Sequence, residues 1–297
     1  MHHPSEFAKI TGKERVPSFE DFDLREIVYM ASREDWIGVF DSGVGGISVL
    51  RHLRRLMPRE RYLYFGDSAN APYGSRSTQQ VRKLTLDAAE RLFRENRIKA
   101  LVLACNTATA AAVEQLRQQY PDRIIIGIEP ALKVAADHFP GGRVGVMATE
   151  VTLREEKFDH LLHRFDENCT VAKIPAPGLV ELVEAGKADS PEAEALLQQI
   201  LSPYLGKLDA LVLGCTHYPF AAKAISRVLG ETVTLLDGGE GTARETRRRL
   251  EERGLLAEPE QRGCVQIQNS AGDERLIALC RQLLGEENRD GGNMYGK

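Results

Sequence analysis

The sequence has few cysteines, and their arrangement excludes several classes of protein. Among its 297 residues there are five cysteines, at positions Cys105, Cys169, Cys215, Cys264 and Cys280. An odd number of widely spaced cysteines is a poor basis for a disulfide framework, and the absence of a CxxC or Cys/His cluster argues against zinc. We therefore expect no metal site, and thiols that are reduced and free to take part in chemistry.

Long apolar runs and an excess of positive charge are also missing. No segment approaches the roughly 20 apolar residues of a membrane-spanning helix, and residues 1–22 lack the apolar core of a secretory signal. The net charge of −4 and the pI near 6.0 give no electrostatic reason to expect nucleic acid or an anionic membrane as a partner. These absences favour a cytoplasmic protein with reduced thiols.

The sequence does contain a regular alternation of strand-like and helix-like segments from Trp36 onward. Near-continuous aliphatic runs are typical of strands buried on both faces of a parallel sheet. Helical spacing of apolar residues fills the gaps, for example after the predicted N-cap Ser77 and after Thr149. The alternation predicts an α/β fold with right-handed crossovers. Strands are predicted at residues 36–40, 61–65, 99–104, 123–128, 143–148, 170–174, 209–214 and 232–236.

Two segments of the chain nearly repeat each other. KALVLACNTATAAA contains Cys105, and DALVLGCTHYPFAA contains Cys215, 110 residues later. A weaker echo links residues 36–46 to residues 143–153, at an offset of 107 residues. The similar offsets predict two tandem α/β domains related by pseudo-twofold symmetry.

The repeat also predicts where a binding site lies. Sites in open α/β sheets form beyond the carboxyl ends of the strands. Four residues that follow predicted strands are therefore expected to face one cleft between the domains: Asp41, Cys105, Thr149 and Cys215. We expect the Cys105 domain to comprise residues 36–130 and 238–286, and the Cys215 domain to comprise residues 131–237.

The two ends of the chain differ from the rest. Residues 1–35 are an N-terminal extension of mixed polarity, and three interpretations stay open: a mobile extension, a docked regulatory arm, or a mis-assigned start codon. The last arises because Met30 directly precedes the segment that leads into the first strand. Residues 287–297 are expected to form a C-terminal tail.

Each repeated cysteine is predicted to stand between a strand and a helix. A helix N-terminus supplies partial positive charge and free N–H groups, which lower a thiol pKa and bind carboxylates. The helix after Cys105 is expected to begin near Thr107, and Pro219 suits the first turn after Cys215. A lone cysteine is usually a small buried apolar residue, but two at equivalent repeat positions predict function. Three others lack this setting and are interpreted as structural: Cys169, Cys264 and Cys280.

Further polar residues are candidate partners of the two thiols. The glycines of DSGVGG, residues 41–46, let backbone N–H groups turn toward an anion, although a tight strand–helix turn explains them equally well. The Asp41 carboxylate suits a substrate ammonium or a base beside a thiol. His217 titrates near neutral pH and is expected to position or protonate Cys215. Glu181 is interpreted either as a carboxylate that supports His217 or as a solvated helical residue.

Four motifs, in this order and spacing, resemble those of the glutamate racemases in the aspartate/glutamate racemase superfamily. They are DSGVGG at residues 41–46, PYG at 72–74, ACNTAT at 104–109 and GCTHYP at 214–219. The resemblance extends over about residues 36–285. A cysteine pair alone also fits racemases of aspartate or of other amino acid derivatives, and the combination of DSGVGG with CTHYP favours glutamate.

The resemblance implies a cofactor-independent isomerase that converts L-glutamate into D-glutamate for peptidoglycan synthesis. It implies that Cys105 and Cys215 act as acid and base on opposite faces of Cα, assisted by Asp41, His217 and Glu181. It further implies a homodimer, and in some members with N-terminal additions an activating cell-wall precursor. The substrate-binding positions that it implies are Asp41, Ser42, Tyr73, Gly74, Asn106, Thr107, Thr149, Thr152, Thr216 and His217.

Two other classes of function stay open at this point. A thiol redox protein would need the two cysteines within disulfide reach, with Cα atoms less than about 7 Å apart. A binding module with the same cleft would have no activity. Two-base catalysis instead requires a substrate between the two sulfur atoms.

Overall fold

The computed structural model describes residues 29–154, 162 and 169–285. The described residues from Ala31 onward belong to one compact unit. Residues 1–28 and 286–297 lie outside the described residues, so the interpretations of the extension and of the tail stay predictions. Most of the helix predicted after Thr149 also lies outside them, including Phe158, Leu161 and Phe165.

Strands and helices alternate along the described part of the chain. The strands are β1 (Trp36–Asp41), β2 (Arg61–Gly66), β3 (Ile98–Leu103), β4 (Ile124–Gly127), β5 (Arg143–Ala148), β6 (Thr170–Pro175), β7 (Ala210–Leu213), β8 (Thr234–Asp237) and β9 (Cys264–Asn269). The helices are α1 (Ile47–Leu56), α2 (Thr78–Glu95), α3 (Asn106–Gln119), α4 (Leu132–His138), α5 (Glu150–Arg154), α6 (Leu179–Glu184), α7 (Pro191–Leu201), α8 (Ala222–Leu229), α9 (Gly239–Glu252) and α10 (Glu274–Leu284). Strands β1–β8 coincide with the predicted ones, and the α/β alternation is confirmed.

The strands form two parallel sheets with the same internal order. The first sheet has the order β4-β3-β1-β2-β9, and the second has the order β6-β5-β7-β8. Read from its other edge, the second sheet is β8-β7-β5-β6, which repeats β4-β3-β1-β2. The predicted pair of similar α/β units is therefore confirmed, while their boundaries near residues 130 and 238 stay a prediction. Each sheet with its covering helices is called a lobe below, the first lobe containing β1 and the second containing β5.

Both faces of the central strands of each sheet are buried, which explains the near-continuous apolar sequences of these strands. In β1, Ile37 and Val39 join the core on one face, whereas Phe40 joins the core on the other. In β7, Val212 joins the core on one face of the second sheet, and Leu213 joins the core on the other face. Successive side chains of a strand point to opposite faces, so a strand covered on both sides needs apolar residues throughout.

One local feature, the cap of α2, agrees with its prediction from the sequence, and another, strand β9, was not predicted. Ser77 caps α2 as predicted, because its side chain accepts a hydrogen bond from the Gln80 amide while the Gln80 side chain accepts one from the Ser77 amide. Strand β9 was not predicted. Its sequence, CVQIQN, presents only Val265 and Ile267 to the first core, and an edge strand with one partly covered face has no continuous apolar run.

The topology brings the predicted site residues to two switch points. Chain order reverses between β1 and β3 in the first sheet, and between β5 and β7 in the second. Ligands of open α/β sheets bind beyond the carboxyl ends of the strands at such points. The residues found at these ends are Asp41, Cys105, Thr149 and Cys215. No helix in the described residues is long and apolar enough to cross a membrane.

Candidate active site

A cavity of about 20 Å³ lies between the two lobes, with both repeated cysteines in its wall. This volume has room for about one water molecule. Pro72 and Val180 also line it and were not predicted, because neither side chain has reactive chemistry that marks it in a sequence. The predicted site residues that line it are Ser42, Tyr73, Gly74, Cys105, Asn106, Thr107, Thr149, Cys215, Thr216 and His217.

Cys105 is the N-cap residue of α3. Its sulfur accepts a hydrogen bond from the Ala108 amide at 3.5 Å and donates one to Ser42 Oγ at 3.6 Å. Burial, followed by the negative charge of Asp41, raises the pKa of the Cys105 thiol to about 12. The expected lowering by the helix N-terminus is present in the Ala108 bond but is outweighed, because burial penalises the charged sulfur more strongly. Cys105 is therefore protonated at neutral pH.

Cys215 belongs to a chain of three interacting side chains. Its sulfur lies 3.6 Å from Nδ1 of His217, and Nε2 of the same ring lies 2.7 Å from Oε1 of Glu184. Burial alone would lower the pKa of His217, but the bonds to Cys215 and Glu184 raise this pKa well above its usual value. Burial acts to raise the pKa of Glu184, yet its bonds to His217 and to the Val44 amide hold that pKa below the usual value. His217 is thus a buried cation beside the Cys215 sulfur.

Glu184 takes the place that the sequence analysis gave to Glu181. Both residues lie on the short helix α6, but Glu181 is exposed and its side chain lies at the wall of a separate outer cavity. Val183 of α6 packs into the core of the first lobe, and Glu184 beside it reaches both His217 and the amide of Val44. The prediction that Glu181 supports His217 is therefore corrected to Glu184.

Asp41 is buried and does not line the cavity. Its Oδ1 accepts a hydrogen bond from the Gly43 amide at 2.9 Å, and its Oδ2 accepts one from Thr216 Oγ1 at 2.9 Å. Burial raises the pKa of Asp41 above its usual value, although the nearby charge of His217 acts against this rise. Thr216 directly follows Cys215 in the second lobe. Its bond to Asp41 therefore joins the residues around Cys105 to those around Cys215.

The glycine-rich loop DSGVGG binds groups of the protein itself. The Val44 amide donates to Glu184 Oε1 at 2.8 Å, and Ser48 Oγ donates to the carbonyl oxygen of Thr216 at 2.9 Å. Gly45 has no room for a side chain, because a Cβ there would lie 2.7 Å from Thr216 Oγ1 and against the His217 ring. The loop thus joins the two lobes closely.

Three threonine hydroxyls form a cluster at the cavity wall. Thr107 lies 3.3 Å from Thr149 and 3.2 Å from Thr152, and the last two are 3.0 Å apart, between Oγ1 atoms in each case. Thr152 does not line the cavity, but its hydroxyl bonds to Thr107 and Thr149, which do. Each hydroxyl both donates and accepts, so the cluster can adjust its donors to an anionic ligand.

A larger outer cavity of about 340 Å³ adjoins the inner one. Four residues line both cavities: Pro72, Gly74, Thr149 and Val180. Two carboxylates, Glu150 and Glu181, stand in the wall of the outer cavity. It therefore forms a vestibule from which a small molecule reaches the cysteines.

The described residues offer no evident metal site. Among them, no group of three or more His, Cys, Asp or Glu side chains is arranged to hold an ion. The five cysteines, all of which lie in the described residues, form no disulfide. Two thiols, a buried imidazolium, the buried carboxylate of Asp41 and the partly buried carboxylate of Glu184 are groups that transfer protons.

Comparison with known proteins assigns this site to a family. Residues 37–246 match the Asp/Glu/hydantoin racemase family. The chain belongs to this family. It is similar to the glutamate racemase of Clostridium perfringens, with 46% identity over 249 residues that cover 84% of this chain and 95% of that protein. Racemases are isomerases, and the assignment of this family member to that class of enzyme is confirmed.

Solved structures of relatives have the same fold. The glutamate racemase from Thermus thermophilus, in complex with β-chloro-D-alanine, is 40% identical with a TM-score of 0.73, over 85% of this chain and 94% of that one. Escherichia coli glutamate racemase, in complex with L-glutamate and the activator UDP-MurNAc-ala, is 30% identical with a TM-score of 0.74, over 84% of this chain and 95% of that one. The predicted resemblance to the glutamate racemases is confirmed.

Proposed function

We propose that the protein is a two-base glutamate racemase that uses no cofactor. In this proposal Cys105 and Cys215 act on opposite faces of the substrate Cα. The observation that carries it is the presence of two cysteines, at equivalent ends of β3 and β7, in the wall of one cavity. The similarity to glutamate racemases at 46% and 40% identity supports glutamate as the substrate.

The unequal surroundings of the two sulfurs support unequal starting states. Cys215, whose sulfur lies 3.6 Å from Nδ1 of His217, is assigned as the base, and the raised pKa of Cys105 keeps its proton available as the acid. Cys215 takes the Cα proton from one face, and Cys105 gives its own proton to the other face. The sulfurs then hold exchanged protonation states, from which the reverse reaction starts.

Asp41 and the Glu184–His217 pair assist one sulfur each. The negative charge of Asp41 near Cys105 raises the pKa of this thiol, which favours the protonated form from which Cys105 acts as the acid. Glu184 keeps His217 charged, which stabilises the deprotonated Cys215. Tuned pKa values of this kind lower the barrier to removing a poorly acidic proton.

The remaining residues of the wall are proposed to bind glutamate. Hydroxyl and amide groups suit the two substrate carboxylates, which stabilises charge that develops at Cα. The inner cavity as described is too small for an amino acid, so we propose that the lobes separate to admit the substrate and close around it. The proposed binding residues are Ser42, Tyr73, Gly74, Asn106, Thr107, Thr149, Thr152, Thr216 and His217.

Isotope exchange tests the proposed reaction. L-Glutamate is incubated with the enzyme in D₂O, while circular dichroism follows loss of optical activity and NMR follows deuterium at Cα. We expect both signals to change together. If neither changes, glutamate racemisation is wrong, and the same assay with aspartate and other amino acids tests the alternative of a related cysteine-pair racemase.

We further propose that the reaction supplies D-glutamate for peptidoglycan precursors in the cytoplasm. A cell-wall precursor is an activator in the complex of the E. coli relative, so residues 1–35 are proposed to respond to such a ligand. Rates of the full chain and of a chain beginning at Met30 are compared with and without UDP-MurNAc-ala. Equal basal rates and equal responses would contradict a regulatory arm. Sedimentation measurements test the proposed homodimer.

A further inference from the structure

Asp67 is a buried carboxylate that neither the cavity wall nor the proposed proton transfers include. It directly follows β2, at the same edge of the sheet as Asp41 and Cys105. Its side chain is buried, and its amide donates to the carbonyl oxygen of Asp41 at 2.9 Å. A buried carboxylate is costly unless it is hydrogen-bonded, and its partners indicate what it does.

The side chain of Asp67 accepts hydrogen bonds from two residues of the loop that follows it. Oδ2 accepts a hydrogen bond from the Tyr73 hydroxyl at 2.6 Å, and both oxygens lie 3.1 Å from Nδ2 of Asn70. The carbonyl oxygen of Asn70 in turn accepts a bond from Nε of Arg76 at 2.7 Å. One carboxylate therefore holds the beginning and the middle of the segment that runs from residue 68 to residue 76.

Tyr73 connects Asp67 to the inner cavity. Its ring is buried against Phe40, with ring centroids 6.3 Å apart, and it lines the inner cavity. The Tyr73 hydroxyl donates its proton to Oδ2 of Asp67, so this proton is committed to the carboxyl group. The phenol is thus fixed at both ends, by packing at the ring and by a short hydrogen bond at the oxygen.

The residue after Tyr73 forms a contact between the lobes. A Cβ placed on Gly74 would lie 2.9 Å from Cβ and Cγ2 of Thr149, so the backbone of Gly74 lies directly against this residue of the second lobe. Pro72 and Gly74 line both the inner cavity and the vestibule. The segment 72–75 therefore covers the inner cavity where the vestibule meets it.

We propose that Asp67 is a positioning residue, which holds the segment 72–75 over the inner cavity through Tyr73. This rests on the proposed function, because it gives the segment the task of retaining glutamate between the cysteines. Asp67 itself touches no substrate. An Asp67 that merely stabilised the fold would have the same burial but no selective effect on this segment.

Trypsin tests the position of the segment without any substrate. Arg76 directly follows the segment 72–75 and donates to the carbonyl oxygen of Asn70. Cleavage after Arg76 in the native protein is measured by mass spectrometry for wild type, Asp67→Asn and Tyr73→Phe. In Asp67→Asn one carboxylate oxygen becomes an NH2 group, which cannot accept a hydrogen bond from Asn70 or from Tyr73. Tyr73→Phe removes the Tyr73 bond itself. Because each variant loses a bond that holds the segment, we expect cleavage after Arg76 to be roughly tenfold faster in both. Cleavage elsewhere is expected to stay as in wild type. Faster cleavage at all sites together, or no change after Arg76, would overturn the proposal.

Kinetics with glutamate test the consequence for catalysis. We expect kcat/KM of Asp67→Asn to fall roughly 10- to 100-fold, mainly through a higher KM, because retention rather than proton transfer is weakened. Tyr73→Phe should lower it similarly, and the double variant should be little worse than either single one. Additive effects, or a fall confined to kcat, would show that Asp67 does not act through Tyr73.

A matched control separates the possible failures. Asp87→Asn makes the same chemical change on the exposed surface of α2, where Asp87 pairs with Lys83. Its kinetics and its cleavage after Arg76 are expected to equal those of wild type. If wild type and Asp87→Asn fail to racemise glutamate, the proposed function is wrong, and the trypsin measurement still decides whether Asp67 holds the segment.

Discussion

Nε2 of His217 lies 2.7 Å from Oε1 of Glu184, and this same oxygen accepts a hydrogen bond from the amide of Val44 at 2.8 Å. His217 and Glu184 belong to the second lobe, whereas Val44 belongs to the glycine-rich loop of the first. Contact between the lobes therefore orients the carboxylate that keeps His217 charged. Separation of the lobes would remove the Val44 amide from Glu184. The orientation of the carboxylate that keeps His217 charged therefore depends on closure of the lobes.

Glu184→Gln tests this arrangement, and Glu181→Gln is its matched control on the same helix. Glutamine at position 184 removes the charge that raises the pKa of His217, so we expect kcat/KM to fall roughly 10- to 100-fold and its pH profile to change. Glu181 is exposed and lines the vestibule rather than the inner cavity, so its variant should stay within about threefold of wild type. Steady-state kinetics across pH measure both. A larger effect at Glu181 would restore the original prediction from the sequence.

The two cysteines are tested by separating exchange from racemisation. Cys105→Ala and Cys215→Ala should each lower racemisation by at least about 1000-fold, because each leaves only one of two required groups. The cysteine that is left can still remove the Cα proton from one enantiomer. We therefore expect each variant to exchange deuterium slowly into only one enantiomer of glutamate. The two variants should act on opposite enantiomers.

Cys264→Ser is the control for this experiment, because Cys264 is an exposed thiol on the edge strand β9. It should racemise glutamate at the wild-type rate. If Cys105→Ala or Cys215→Ala keeps near-normal turnover, the two-base assignment is ruled out. Exchange of both enantiomers by a single variant would contradict the placement of the sulfurs on opposite faces.

Gly45→Ala tests whether the close contact of the glycine-rich loop with the second lobe is required. The added Cβ would lie 2.7 Å from Thr216 Oγ1 and against the His217 ring. Since the backbone of this loop and the ring are both buried, the lobes must shift apart, and we expect kcat/KM to fall at least about 100-fold. Kinetic measurements and thermal unfolding distinguish this from loss of the fold.

Gly241→Ala provides the matched comparison. Gly241 lies in α9, where a Cβ would have nothing within 4 Å. We expect unchanged kinetics and a gain in stability of roughly 0.5–1 kcal/mol, because alanine is the better helix former. Equal activities of the two alanine variants would show that the lobes have more freedom at Gly45 than the closed contact indicates.

The sequence predicts the cysteines well and their supporting residues less well. Cys105 and Cys215 follow buried strands in a repeat, and the order of the strands then brings them together whatever the details of packing. Glu184 is different. Two glutamates stand three residues apart on α6, and only the packing of Val183 against the first lobe decides which one reaches His217. The pKa of Cys105 was likewise beyond local reasoning, because burial depends on the whole fold.

His52 makes stability depend on pH in a way that can be isolated. It is buried with its Nε2 3.7 Å from Oδ1 of Asp237. Burial lowers its pKa below the usual value of 6.5, although the charge of Asp237 and that of Glu240 oppose this, while Arg55 and Arg51 add to it. Below the pKa of the unfolded chain, the unfolded state therefore binds more protons than the folded state at this position.

Stability that His52 contributes should accordingly be present above about pH 6.5 and be lost as pH falls through the lower pKa of the folded state. His52→Gln removes this dependence, while the opposite contribution of His217 is the same in both proteins and cancels in the comparison. Urea unfolding at about pH 7.5 and about pH 5.5 measures it. We expect wild type to lose more stability on acidification than the variant, by up to about 1.4 kcal/mol per pH unit. Parallel losses in both proteins would show that His52 is protonated as readily in the folded state as in the unfolded chain, and that Asp237 and Glu240 compensate fully for its burial.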